Sequence, residues 1–573
     1  MWPKIKKEII KLIEKSFPDL KISEADFVFP PNPEFGDLSL PCFNFAKAVG
    51  NSPPEIAKEL SRKIEPAGIV GKIVAVGPYL NFFLDKRKMA SLVLNQILKD
   101  KEKYGNSKMG KGKRAMIEFS NANTHKEYHV GHLRNLCYGD AVTRLLAASG
   151  HKVIPVSYIN DFGIHVAKTL WFIYKHKDPH AQTIIKQGTI EDKGYFLGQM
   201  YSDATKKINE IGDNAKREVG EFMAKIESRH GLEHKHWQET RRWSIEQFEE
   251  IYKEMDVKFD KVFYESEVID EGRKIVDELF RKNFLVKSQG AVIANLEKYN
   301  LGVLLFLRSD GTALYPVADI PLAIKKFKKY KLDESIYVVD VRQSLYFQQL
   351  FKILELLGYK QKMIHLDYEF VKLPSGMMSS RTGNVITYEN LRTEAMERAI
   401  AETKKRHTDW SKEKIDEIAR EIVVGAIKFE MVKVGKEQTI TFDIDRALRF
   451  EGYTAAYLQY THARICSIIR KAKVKISGKI DFTKLHEKWE HDLTINLAKF
   501  PETLEKAASD YNPAVLAGYL YELAKTFSDF YRDVQVIKAD PETKKARIAL
   551  IFAVKTVLAK GLSILGIAAP EEM

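Results

Sequence analysis

Two histidines three residues apart bracket a glycine in the run His129-Val130-Gly131-His132. Placed where a strand gives way to a helix N-terminus, imidazoles so spaced can both point at an anion beside the exposed N–H groups. Gly131 has no Cβ, which leaves room for a planar base to lie against the backbone. The chemistry that suits such a pair is stabilisation of charge growing on a phosphate during in-line attack, where losing one donor typically costs ~2.7 to 4 kcal/mol. A bare His-x-x-His also fits ordinary helix-start histidines or part of a metal site, so its surroundings decide.

Those surroundings read as a βαβ unit. Residues 115–119 form a short apolar strand and 120–128 a polar loop; across 130–149 Leu133, Leu136, Cys137 and Leu145 recur at helical spacing. Gly150 stops the helix and 153–159 forms the next strand. Such a unit implies a parallel sheet with a ligand cleft at its strand ends. Ahead of it lie an amphipathic helix carrying Ile5, Ile9, Leu12 and Ile13, a Pro- and Gly-rich loop over 30–37, helices over 44–48 and 54–64, and a strand near 73–76. A Lys- and Gly-dense stretch, 101–113, reads as a linker. Between roughly 190 and 255 the chain is charged and helical, an insertion into the sheet domain, and strands return at 291–295, 303–307 and 336–341. Beyond 435 helices dominate, with 453–471 and 513–531 long and aromatic-rich.

At 573 residues the chain exceeds what one core supports and divides into domains. Apolar residues at 45% and charged residues at 29% describe a soluble globular protein. The net charge of +14 suits a polyanionic partner such as nucleic acid, and equally a well-solvated Lys-rich surface. Cys42, Cys137 and Cys466 lie far apart, so neither a disulfide framework nor a cysteine zinc site is indicated. The N-terminus lacks a signal peptide's apolar core, and the most apolar stretch, 548–569, carries Lys555 and Lys560 in its middle. A cytoplasmic protein with no membrane partner is expected.

His-Val-Gly-His after a strand and at a helix start resembles the HIGH signature of class I aminoacyl-tRNA synthetases. The longer run 118–134 resembles the version found in the arginyl-tRNA synthetase family. Downstream, 372–384 is similar to that class's KMSKS loop, with Met377 and Ser380 standing where its two lysines usually are. The resemblance implies that His129, Gly131, His132, Met378, Ser379, Ser380 and Arg381 bind ATP, brought in with Mg2+, without a tightly bound cofactor or a resident metal. It implies that His129 and His132 are catalytic. Lys126 occupies the position where arginine enzymes lacking the loop lysine carry a substitute cation, and Arg381 is a second candidate.

For the amino acid, a planar cation calls for carboxylates paired bidentately where geometry allows. The resemblance assigns Asp319 to the guanidinium, with Tyr315 beside it and Gln343 as a further contact; Glu118, Ser120 and Asn123, with His129, would hold the substrate near the reacting phosphate. Outside that frame Asp319 also fits a helix cap and Tyr315 a core residue. Tyr346 stands where many relatives have histidine. At the two ends, 32–39 resembles the N-terminal domain peculiar to arginine enzymes, which touches the elbow of tRNA, and 457–465 the family's anticodon-binding helices. Phe35, Tyr457, Tyr460 and Met573 are the tRNA candidates, the tyrosines fitting either base stacking or the core. The implied architecture is multidomain α/β: an α+β N-terminal domain at 1–106, a Rossmann-type catalytic domain at 107–435, and an all-α anticodon-binding domain at 436–573. The expected enzyme is a monomer that joins L-arginine to tRNA with ATP, and that usually needs bound tRNA before it activates arginine.

Overall fold

The computed structural model describes every residue except 47–49, 177–178, 310 and 375–385, and the side chains of 179–182. Its centre is a five-stranded parallel sheet in the order Lys362–Tyr368, Glu334–Asp340, Arg114–Glu118, Lys152–Ile159, Lys261–Tyr264. The two central strands are buried almost throughout, as expected where helices cover both faces of a parallel sheet. From Arg114–Glu118 the chain passes to one neighbour through the helix Val130–Ala148, while Glu334–Asp340 pairs on the other side. This reversal opens a crevice at the strand ends.

Val130–Ala148 buries Leu133, Leu136, Tyr138, Val142 and Leu145, each worth ~1.5 to 3 kcal/mol if fully withdrawn from water. It lies close against the sheet because Gly139 has no side chain: a Cβ there would stand 2.2 Å from the Phe119 ring. Its other flank is tied to the helix Lys412–Val432 by a buried ion pair, Lys428 to Asp140 at 3.1 Å, and by the Arg134 guanidinium donating to the carbonyls of Met431 and Gly435.

Strand expectations held unevenly. Residues 291–295 and 303–307 are strands, but with Val286–Ser288 they form a separate antiparallel sheet. The outer parallel strands Lys261–Tyr264 and Lys362–Tyr368 were not anticipated, being short and only partly apolar. The helices of the insertion begin already at Ile164, where Val166, Leu170 and Trp171 join Val219, Phe222 and Trp237 in a small core of their own. The N-terminal unit has three antiparallel strands, Leu38–Pro41, Tyr79–Leu84 and Val70–Val76, where one was expected. Helix expectations over 44–48 reach partly outside the described residues.

The C-terminal part is a bundle of Ala455–Ala472, Lys488–Ser509, Pro513–Asp533 and Pro541–Ile564. Among the described residues no helix is long and apolar enough to cross a membrane. The N-terminal unit docks on this bundle: His491 donates to Asp37 at 2.8 Å, the Tyr104 hydroxyl donates to the Leu497 carbonyl at 3.0 Å, and Tyr104 stacks on Phe500.

Candidate active site

A cleft of about 660 Å³ opens at the ends of the central strands. Glu118, Ser120, Asn123, His129, Gly131 and His132 line one side, Tyr315, Asp319 and Gln343 the other. Nine residues singled out in the sequence thus meet in one place.

His129 is the N-cap of Val130–Ala148, in extended backbone. Its Nδ1 accepts from the Gly131 N–H at 3.1 Å, and the His132 Nδ1 accepts from the His129 N–H at 3.1 Å. The two rings stack 3.9 Å apart. A neutral imidazole that accepts at Nδ1 carries its proton on Nε2, so the helix's own N–H groups fix both rings as Nε2–H donors. Burial holds them neutral. It lowers His129 to about 4 against the pull of its backbone hydrogen bond, and it lowers His132 well below the ordinary histidine value, with His129 and Lys126 adding to the effect. Neutral donors and a helix N-terminus converge on this end of the cleft, an arrangement that suits phosphate oxygens.

The preceding loop is held by buried polar contacts. Ser120, at φ 56°, shares hydrogen bonds with the hydroxyls of Tyr128 at 3.1 Å and Tyr252 at 3.0 Å. Its N–H donates to Asn135, whose amide in turn donates to the Val338 carbonyl at 2.7 Å and to Tyr368 at 3.0 Å. Asn135 therefore staples the loop to the neighbouring strand across the crevice. The Ser120 hydroxyl is correspondingly engaged within the protein.

The opposite end is acidic. Asp319 lies in the first turn of the helix Pro316–Tyr330 and accepts from the Tyr346 hydroxyl. Burial raises Asp319 to about 7; the Tyr346 hydrogen bond opposes this, Glu118 adds to it and Lys326 opposes it. Glu265, just after the strand Lys261–Tyr264, is raised to about 8 by burial, with Asp161 and Asp319 contributing. Asp161 is buried and bound by Arg241, by the Ser266 N–H at 2.9 Å and by the Ser266 hydroxyl at 2.7 Å. Burial thus suppresses the negative charge of Asp319, which lines the cleft, and a neighbouring cation would restore it; Glu265 lies close enough to Asp319 for its own protonation to be raised by it, without lining the cleft itself.

Glu118 lines the cleft and is already engaged within the protein. Its carboxylate is ion-paired with Lys326, which is 1% exposed and flanked by the rings of Phe263 and Tyr337 at 5.3 Å each. Less of Glu118 is left for a substrate ammonium, because breaking a buried pair costs ~3 to 5 kcal/mol. Tyr315 is 65% exposed and meets Tyr346 edge-on at 6.3 Å, while Gln343 is exposed on the turn Val341–Gln343 at the rim. Lys126 is not among the residues that line the cleft; its ammonium lies 5.0 Å from the Tyr201 ring centroid, and its charge reaches His129 and His132, helping to lower both. Met378, Ser379, Ser380 and Arg381 lie outside the described residues.

The remaining candidates do not line the cleft. Phe35 is 44% exposed on the N-terminal unit. Tyr457 is half-buried and bonded to Ser528 at 2.9 Å; Tyr460 meets Phe450 edge-on, with Arg464 over its ring at 5.3 Å. Met573 is half-buried and follows Glu572, which is paired with Lys414 and Arg470. Sequence reasoning missed Glu265 and Lys326, and left Tyr346 uninterpreted although it follows Gln343 by only three residues.

A crevice at the switch of a parallel sheet, with a His-x-x-His helix start on its lip, is the catalytic arrangement of a class I aminoacyl-tRNA synthetase, and residues 93–444 match the family described as tRNA synthetases class I (R), catalytic domain. Residues 3–84 match the arginyl tRNA synthetase N-terminal domain and 458–573 the DALR anticodon binding domain. The chain belongs to the arginyl-tRNA synthetase family. It is 38% identical to an arginine–tRNA ligase of Bdellovibrio bacteriovorus, over 98% of this chain and 97% of that one. It is 33% identical to one from Clostridioides difficile, over 99% of both. The structure of Thermus thermophilus arginyl-tRNA synthetase superimposes with a TM-score of 0.79 at 27% identity, covering 99% of this chain and 100% of that one.

Proposed function

We infer that this chain is an arginine–tRNA ligase, which activates L-arginine with ATP and transfers it to the 3′-terminal adenosine of its tRNA. The observation that carries the reading is the polarity of one cleft: two neutral imidazole donors at a helix N-terminus lie at one end, and the buried Asp319 carboxyl lies at the other.

An oxygen of arginine's carboxylate attacks the α-phosphorus of ATP, delivered with Mg2+, and the bond to the β-phosphate's bridging oxygen breaks to release pyrophosphate. The terminal adenosine's 2′-hydroxyl then attacks the arginyl carbonyl; AMP leaves and the hydroxyl proton passes to it or to solvent. No side-chain nucleophile takes part, so positioning and charge stabilisation carry the rate. His129 and His132 donate through Nε2 to the α-phosphate oxygens, and Gly131 clears space for the adenine. Met378, Ser379, Ser380 and Arg381 extend the ATP site, and Lys126 supplies positive charge for the pyrophosphate. Asp319 takes the guanidinium, with Glu265 the nearby second carboxylate; Tyr315 and Gln343 border it. Asn123, Ser120 and Glu118 border the α-amino and carboxylate groups.

Phe35 on the N-terminal unit (1–106), and Tyr457, Tyr460 and Met573 on the helical part (436–573), contact tRNA on either side of the catalytic unit (107–435). The enzyme acts in the cytoplasm as a monomer. Incubating it with total tRNA, ATP and radiolabelled amino acids tests the reading. Arginine alone should become acid-precipitable, and ATP–pyrophosphate exchange should need tRNA. Charging with cysteine, glutamine or glutamate instead, or no exchange with tRNA present, would overturn it.

A further inference from the structure

The helix Pro316–Tyr330 brings two charged side chains to the cleft, Asp319 in its first turn and Lys326 about two turns later on nearly the same face. Lys326 is buried. Its ammonium pairs with Glu118 Oε2 and has the buried rings of Phe263 and Tyr337 at 5.3 Å each, so two strands of the parallel sheet and one covering helix fix where this charge sits.

Glu118 ends the central strand Arg114–Glu118 and lines the cleft. Its second oxygen, Oε1, accepts from the Asn121 amide at 3.4 Å, a long contact. A carboxylate offers about four lone-pair sites, so this one can take a further donor without giving up Lys326. Glu118, Lys326 and Asp319 are within electrostatic reach of one another, since Glu118 raises Asp319 while Lys326 lowers it. A carboxylate this deep is costly to keep unless a cation compensates it.

We propose that Lys326 is a positioning residue for Glu118: it holds Oε2, compensates the buried charge, and so presents Oε1 to the α-ammonium of the amino acid. The substrate then joins a buried pair as its third member instead of breaking it. Glu118 and Lys326 together recognise the α-amino group, while Asp319 reads the side chain from the other end of the same helix face. The proposal rests on the reading that places Glu118 beside the substrate's α-amino group.

The test uses the full-length enzyme in tRNA-dependent ATP–pyrophosphate exchange, with arginine as substrate and δ-guanidinovaleric acid, which is arginine without its α-amino group, as competing inhibitor. Lys326→Met keeps an unbranched stem and removes the charge. It should raise the KM for arginine about thirtyfold and leave the inhibition constant of the deamino acid and the KM for ATP within about threefold. Lys326→Arg, which keeps a cation, should bring the KM for arginine back to within about fivefold of the parent. Removing one member of a buried pair is destabilising and removing both is often neutral, so Glu118→Gln combined with Lys326→Met should keep the parent's Tm and still lack the preference for the α-amino group. A KM for arginine that is unchanged in Lys326→Met, or lower, as it would be if Lys326 merely competed with the ammonium, would overturn the proposal. Weakening of the deamino acid in parallel with arginine would overturn it too, and so would unfolding of both the single and the double variant, which would mark the pair as purely structural. Each of these leaves the ligase reading intact, because that reading fails only if the parent enzyme itself gives no exchange with arginine.

Discussion

The two ends of the cleft are both desolvated, with opposite consequences. At the imidazole end burial removes protons, and the neutral rings that result are already in the donor form a phosphate needs. At the carboxylate end burial works the other way: it raises Asp319 to about 7, so the acid is only partly in the ionised form that a guanidinium needs near neutral pH. One site is ready as it stands; the other is completed by the cation it selects.

Removing the proposed anchor should divide the two ends most sharply. Asp319→Asn should cost on the order of a thousandfold in kcat/KM for arginine, with the KM for ATP within about twofold of the parent, as measured by exchange with each substrate varied in turn. A comparable rise in both KM values would show that the ends are not separable. His132→Ala should act oppositely: kcat down about a hundredfold, the arginine KM barely moved.

Proton linkage gives a smaller and more diagnostic effect. Asp319 has a raised value near 7 in the free enzyme, and a bound guanidinium lowers it, so binding expels a proton; affinity must then be high above that value and lost below it. The KM for arginine should fall about tenfold from pH 6 to pH 8, while the histidines, His129 lowered to about 4 and His132 held well below the ordinary histidine value by burial, leave kcat flat over that range. Tyr346→Phe removes the hydrogen bond that favours ionised Asp319. It should weaken arginine binding about fivefold at pH 7 and move the midpoint of the KM profile to higher pH. A profile that stays put would mean Tyr346 does not tune this acid.

The imidazole end was legible in the sequence because its parts are contiguous: His129, Gly131, His132, the strand before them and the helix after them occupy one short run. The carboxylate end was half legible. Asp319 came from the resemblance of 315–319 to a family element and not from periodicity, while Tyr346 reaches it from 27 residues away and Lys326 reaches Glu118 from 208, distances over which no periodicity speaks. Glu265 looks like any loop glutamate until the sheet brings it toward Asp319. Among the elements, the long helices announced themselves by period, whereas Leu38–Pro41 and Tyr79–Leu84 are too short and too uniformly buried to show alternation.

The docking of the N-terminal unit on the distant bundle has a consequence for biosynthesis. Asp37 finds His491 across 454 positions and Tyr104 finds Leu497 across 393. During translation the first unit must therefore emerge from the ribosome with its mating face bare, and remain soluble while most of the polypeptide is still being made.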